Sequence, residues 1–189
     1  MNVSKDPQKV WGSAGKRSVA NPGVQKPAAD KKLPAKKTSR KQSGTKKGNR
    51  NKARHYARER ALQALYQWDV AVAESSDVYM QFISEQDMSR VDTDYFASLF
   101  KGVSHNVEAV DADIEPSLDR PMLDLDPVER AVLRIATYEL QHCLDVPARV
   151  VINEGVEITK RFGADKGHHY VNGVLDKVAM ALRPIEMKR

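Results

Sequence analysis

From residue 53 onward the apolar positions recur with a helical period, and strand-like alternation is scarce. Ala57, Ala61, Ala64, Leu65, Trp68 and Val72 follow i, i+4, i+7, i+8, i+11, i+15 spacing. That predicts a helix over about 53–74 with one buried face. A short helix is expected over about 77–85, with Tyr79, Phe82 and Ile83 facing inward. A third is expected over about 92–110, its stripe made by Tyr95, Phe96, Leu99, Val103, Val107 and Val110. Pro116 and Pro121 interrupt residues 111–125, because proline lacks the backbone donor and clashes with the preceding turn; this stretch reads as a connector.

The second half opens with the clearest local signal. Asp126-Pro127-Val128-Glu129 places a capping acid, a proline at the first helical position and an acid two residues later. Val128, Val132, Ile135, Ala136, Leu140 and Cys143 form the apolar face that follows. Asp145-Val146-Pro147 restarts a helix carrying Val151, Gly155, Ile158 and Phe162, and Gly163 fits a helix stop. The last helix starts near 166–169, buries Val171, Val174, Leu175, Val178 and Leu182, and ends at Arg183-Pro184. The pattern predicts an all-α fold of two three-helix bundles, 53–110 and 126–184. Each alone would bury little area, so the two are expected to share an interface and form one domain over 53–184.

Composition changes the picture ahead of residue 53. Residues 1–52 hold fifteen Lys or Arg against two acids, while the remaining 137 residues hold sixteen against twenty-three. The net charge of +6 is thus a +13 tail on a −7 body. The tail has prolines, paired lysines and few apolar residues, too little burial to offset chain entropy, and is expected to be disordered. It reads either as a counterion-releasing arm for RNA or as a solvated extension with no required role. Val10 and Trp11 are a weak candidate docking site. The single cysteine, Cys143, excludes an intramolecular disulfide, and neither a secretory apolar region nor a membrane-length apolar run occurs. A soluble, cytoplasmic protein is expected.

Candidate chemistry is sparse. Phosphate-binding glycine loops and a nucleophile elbow are absent, so no enzyme activity and no cofactor is expected. His142-Cys143 and His168-His169 lack a second pair at ligand spacing, so no metal is expected. Two features point to RNA. Arg50, Arg54 and Arg58 sit four apart and would form a ridge on the first two turns of the first helix. The helix dipole disfavours cations there, which suggests another demand for the charge; the same arginines could instead pair with Glu59 or neighbouring acids. The second is residues 162–173, which hold Phe162, Lys166, His168, His169 and Tyr170 ahead of a helix start. Aromatics stack on unpaired bases and helix-start amides accept phosphate. Phe162 and Tyr170 could equally be core anchors; Lys166 and His169 should be exposed.

Arg54-x-x-Ala57-Arg58-Glu59-x-Ala61-Leu62-Gln63-Ala64-Leu65-Tyr66-Gln67-Trp68 resembles the opening helix of the NusB family of bacterial transcription antitermination factors. The resemblance continues through Val128–Leu140, Val146-Pro147, Val151-Ile152-Asn153-Glu154 and Phe162-Gly163, and closes with Tyr170–Lys177, spanning about 53–184. It implies the two-bundle helical fold and binding of single-stranded boxA RNA in leader and ribosomal RNA transcripts. It further implies a partner, the small-subunit ribosomal protein that doubles as NusE, and indirect contact with RNA polymerase and other Nus factors. No membrane partner is implied; a homodimer is open, since some relatives self-associate. By resemblance, Lys52, Arg54, Arg58, Phe162, Lys166, His169 and Tyr170 are the RNA candidates, and Tyr66 and Glu129 the NusE candidates. His55 and Tyr56 stand where some members place arginines, and Lys166 where some carry an acid.

Two other functions compete. A similar fold fronts ribosomal RNA cytosine methyltransferases, but those need a Rossmann-like domain and a catalytic cysteine, neither of which is legible here. The other is a protein–protein interaction module with an incidental, nonspecific RNA-binding tail.

Overall fold

The structure, a computed structural model, describes the backbone of residues 42–188 and the side chains of 48–188. Expectations for residues 1–41, including disorder and the Val10–Trp11 docking site, lie outside the described residues. Among the described residues every regular element is helical.

Helix α1 runs Gln42–Ala71, beginning well before the expected start near Ala53. Residues 48–52 are exposed and carry no apolar stripe, so periodicity could not mark them. A nucleated helix extends by adding one hydrogen bond per residue fixed, without needing a packed face. At the other end α1 stops at Ala71, and Val72 is not buried as expected but 90% exposed, with φ of 50°. The amide of Ala73 donates to the Trp68 carbonyl at 3.4 Å. Val72 therefore occupies the reversal position of a six-to-one helix-ending turn, a place glycine normally takes.

Helix α2 (Ser75–Glu85) buries Val78 and Phe82; Tyr79 is half-buried, and Ile83, expected inward, is 38% exposed. The expected third helix is two, α3 (Thr93–His105) and α4 (Val107–Ile114). Asn106 divides them: its side-chain amide donates to the Gly102 carbonyl at 2.8 Å, a local bond that competes with the helical ladder. The stripe survives the break, with Val103, Val110 and Ile114 buried. Phe96 stacks with Tyr79, Phe82 and Phe100 at centroid separations of 5.9–6.2 Å, the offset range in which aromatic pairs attract.

Helix α5 (Pro127–His142) begins at the predicted cap. The Asp126 carboxylate accepts from the amides of Val128 at 2.8 Å and Glu129 at 3.4 Å. It is buried nearly all round, because it touches α1, α3 and α4 on one side and α6 (Ala148–Phe162) and α7 (Gly167–Leu182) on the other. This helix is the interface that joins the two halves. Gly155 lets α6 approach closely: a Cβ there would meet Leu175 at 3.0 Å and Val132 at 3.4 Å. The exposed carbonyl end of α5 is closed by the buried guanidinium of Arg183, which donates to Leu140 O (2.7 Å), Glu139 O (2.9 Å) and Cys143 O (3.2 Å). Leu140 O is a carbonyl the helix end leaves without a backbone donor, Glu139 O and Cys143 O take Arg183 as a second donor beside the Cys143 and Val146 amides, and a cation suits the negative end of the dipole. Past the Arg183-Pro184 stop a short turn, α8 (Pro184–Met187), brings Glu186 to accept from the first amide of α6 at 2.8 Å.

Candidate nucleic-acid interface

Arg54 and Arg58, midway along α1, are engaged by acids from other elements. Arg58 is 3% exposed. Its Nε donates to both Glu139 oxygens (3.0 and 2.9 Å) and its Nη2 to one of them (2.7 Å), while Nη1 lies 3.5 Å from Glu154. Tyr95 also donates its hydroxyl to Glu139. Burial works against the Arg58 charge, but the Glu139 carboxylate outweighs it and holds the guanidinium protonated. Arg58, expected to face RNA, is instead closed in between α1, α3 and α5 with its guanidinium engaged by Glu139. Arg54 is partly exposed, donates to Asp145 at 2.8 Å and lies over the Tyr95 ring at 4.4 Å. His55 sits between Glu154 (2.7 Å) and Glu59 (3.2 Å). Lys52 is exposed and forms no salt bridge among the described residues.

The loop ahead of α7 behaves differently. Gly163 ends α6 in an extended conformation (φ −88°, ψ 179°), not the left-handed one a glycine stop usually marks. Its reason is space: a Cβ would stand 2.9 Å from the Thr159 carbonyl. The left-handed residue is Lys166, at φ 63°, which turns the chain so that α7 can start at Gly167. Lys166 and His169 are exposed, and the His168 and His169 rings lie 4.1 Å apart. Phe162 is half-buried with the Arg161 guanidinium 5.0 Å over its ring. Tyr170 is also half-buried; it donates to Asp119 at 3.0 Å, and Arg120 covers its ring at 4.9 Å. Hydrogen bonds from Arg120 and Tyr170 hold the Asp119 carboxyl down at about 2.

Of the partner candidates, Glu129 stands against the end of this loop. Tyr66 is 42% exposed on α1. One turn on, Asp69 accepts from Arg130 of α5 at 2.5 and 2.9 Å and from Arg134 at 3.2 Å, tying this part of α1 to the start of α5. Glu129 is half-buried there, and a Cβ on Gly167 would collide with its carboxylate, so the acid lies directly against the start of α7. Burial, reinforced by neighbouring Asp126, pushes the Glu129 carboxyl above its ordinary range. The loop and the acid, predicted from separate segments, thus form one neighbourhood. Sequence reasoning missed Arg60, Arg90 and Arg161, which with Tyr56 and Phe162 line a cleft of about 230 Å³. Arg60 lies inside the opening-helix motif, and Tyr56 departs from the family pattern; those were the available signals.

The model of the NusB family matches residues 55–180. The chain belongs to the NusB family. The transcription antitermination protein NusB of Haemophilus ducreyi is 53% identical over 129 residues, which cover 68% of this chain and 94% of that protein. The NusB of Idiomarina loihiensis is 50% identical over 132 residues, covering 70% and 95%. Among solved structures, T. maritima NusB superimposes with a TM-score of 0.62 at 31% identity, covering 71% of this chain and 96% of that one. A NusB chain solved with NusE in complex with double-stranded RNA gives a TM-score of 0.61 at 29% identity, covering 68% and 97%. The family is one of non-enzymatic RNA-binding proteins. Among the described residues no helix is long and apolar enough to cross a membrane.

Proposed function

We propose that this chain is a transcription antitermination factor of the bacterial cytoplasm. It binds boxA RNA of ribosomal RNA transcripts jointly with NusE and joins RNA polymerase through the other Nus factors. The observation that carries this reading is the 53% identity to a transcription antitermination protein across 94% of that protein's length. The geometry supports it. Lys52, Lys166 and His169 are exposed donors for phosphate, and Arg54 becomes one if RNA displaces Asp145. Phe162 and Tyr170 offer ring edges to unpaired bases. Tyr66 and Glu129 form the NusE contact, and Glu129 lies against the end of the loop, so the two ligands bind side by side. The mechanism is equilibrium binding: each ligand orders the same neighbourhood and so strengthens the other.

Fluorescence anisotropy with a boxA-like single strand and a scrambled control, with and without NusE at physiological salt, tests this. Preferential boxA binding that tightens with NusE is expected. Equal binding to both strands, indifferent to NusE, would reduce the protein to a helical module with a nonspecific basic tail.

A further inference from the structure

The cleft between α1, the α2–α3 turn and the end of α6 brings three arginines together with two aromatic rings. Arg60 and Arg90 line it, and neither forms a salt bridge among the described residues. Arg60 donates to the Gln63 side chain at 2.7 Å, and Arg90 donates to the Tyr56 hydroxyl. Arg54 and Arg58 of α1, by contrast, each pair with a carboxylate. The Arg90 guanidinium also lies over the Tyr56 ring, 4.4 Å from its centroid. Across the cleft Arg161 covers Phe162 in the same way. Two acids reach the cleft as well, Glu59 and Asp87. Glu59 is already paired with Arg161 and His55, which leaves the cleft with a surplus of positive charge.

We propose that this cleft holds one or two nucleotides of single-stranded RNA flanking the segment bound at the 162–170 loop. Arg60 and Arg90 take the phosphates, and a base stacks against the Tyr56–Arg90 pair. The site rests on the RNA-binding reading above and extends it onto residues that reading does not assign. Three features carry it. Phe162 belongs to both the loop and the cleft, so an RNA strand leaving the loop enters the cleft without a gap. Guanidinium–aromatic pairs are the planar platforms on which unpaired bases stack. The volume, about 230 Å³, suits a base and its sugar but not a duplex. The cleft also explains how the chain tolerates His55 and Tyr56 where other members carry arginine: the cations sit one turn further along α1 and on the α2–α3 turn.

The test uses the full chain and an Arg60→Gln/Arg90→Gln double variant, with boxA-like and scrambled strands of equal length across a salt series. Arg149→Gln, which removes an exposed cation elsewhere on α6, is the control. The double variant should bind RNA about tenfold more weakly and flatten the logarithmic salt slope by about 1.4, two phosphates at about 0.7 each on a single strand. Tyr56→Ala should weaken binding several-fold with little change in slope. Affinity and slope equal to wild type in the double variant would overturn the site. If the wild type still prefers boxA in that case, the antitermination reading survives the loss of the cleft. The slope is read on both strands, so it decides the cleft even if the wild type shows no boxA preference. Unchanged RNA binding with weakened NusE capture would assign the cleft to an acidic protein surface and also overturn the proposal.

Discussion

Replacing Arg58 with alanine separates a structural role from an RNA contact. Arg58 supplies three charge-assisted hydrogen bonds to Glu139, whose side chain is 1% exposed. The other donor to that carboxylate is the Tyr95 hydroxyl, which burial and the neighbouring Glu139 charge hold firmly protonated. After Arg58→Ala the carboxylate stays buried with one phenol for company. Breaking a buried pair from one side costs about 3–5 kcal/mol, most of it the desolvation of the charge left behind. For a body of this size each kcal/mol moves the melting temperature by about 3 °C, so a drop of about 9–15 °C is expected. Far-UV circular dichroism during heating and urea titration gives the number. Anisotropy below the transition gives the affinity per folded molecule, which should change less than twofold. The double variant Arg58→Met/Glu139→Leu should recover most of the loss, since removing both charges removes the penalty. A melting shift under about 3 °C together with a tenfold loss of boxA affinity would refute the reasoning and return Arg58 to the RNA surface.

Two further outcomes follow from local geometry. Val72→Gly should stabilise the protein by about 0.5–1 kcal/mol, because φ of 50° is unfavourable for a β-branched residue by more than glycine's extra unfolded-state entropy; a lower urea midpoint would sink that account. Glu129→Gln should raise stability at pH 7 while weakening NusE binding. The Glu129 carboxyl is raised in the folded state, so its ionisation opposes folding above that folded value and has no effect below the ordinary glutamate range. The gain should therefore fade as pH drops toward about 4, and a pH-independent difference between the two proteins would contradict it.

Much of the architecture was legible because its signals are local. The Asp126-Pro127 cap and the α5 and α7 stripes each lie within a few residues and appear where expected, whereas the connector expected from residue 111 begins only after α4 ends at Ile114. Other features were decided by contacts that periodicity does not weigh. Asn106 divides a continuous stripe by bonding backward, and Val72 continues a stripe that a helix-ending turn has already left. The burial of Arg58 is more instructive. Its acid is 81 residues away, and no local pattern names that partner. The face itself was readable, however. Arg58, Ala61, Leu62 and Leu65 share i, i+3, i+4, i+7 spacing, as do Val132, Ile135, Ala136 and Glu139. A lone cation on one apolar face and a lone anion on another are what a buried pair between two helices looks like in sequence.

The dipole argument for RNA at the start of α1 loses its footing for a related reason. It took Ala53 as the helix start, which put Arg54 and Arg58 in the unfavourable first turns. With α1 beginning at Gln42 they lie in its middle, where the macrodipole has faded. What demands their charge is the body itself. Asp92, Glu139, Asp145 and Glu154 converge on them from the cap ahead of α3, α5, the α5–α6 turn and α6. The cations of α1 therefore divide by position into two classes. Arg58 fastens the first bundle to the second, whereas Lys52 and Arg60 remain available to a polyanion and Arg54 joins them once RNA displaces Asp145. A charge-removal scan along α1 should separate them by readout, melting temperature for the first class and salt slope for the second. If a single substitution moved both equally, the acids would be competing with RNA for the same arginines, and binding would have to loosen the junction between the bundles.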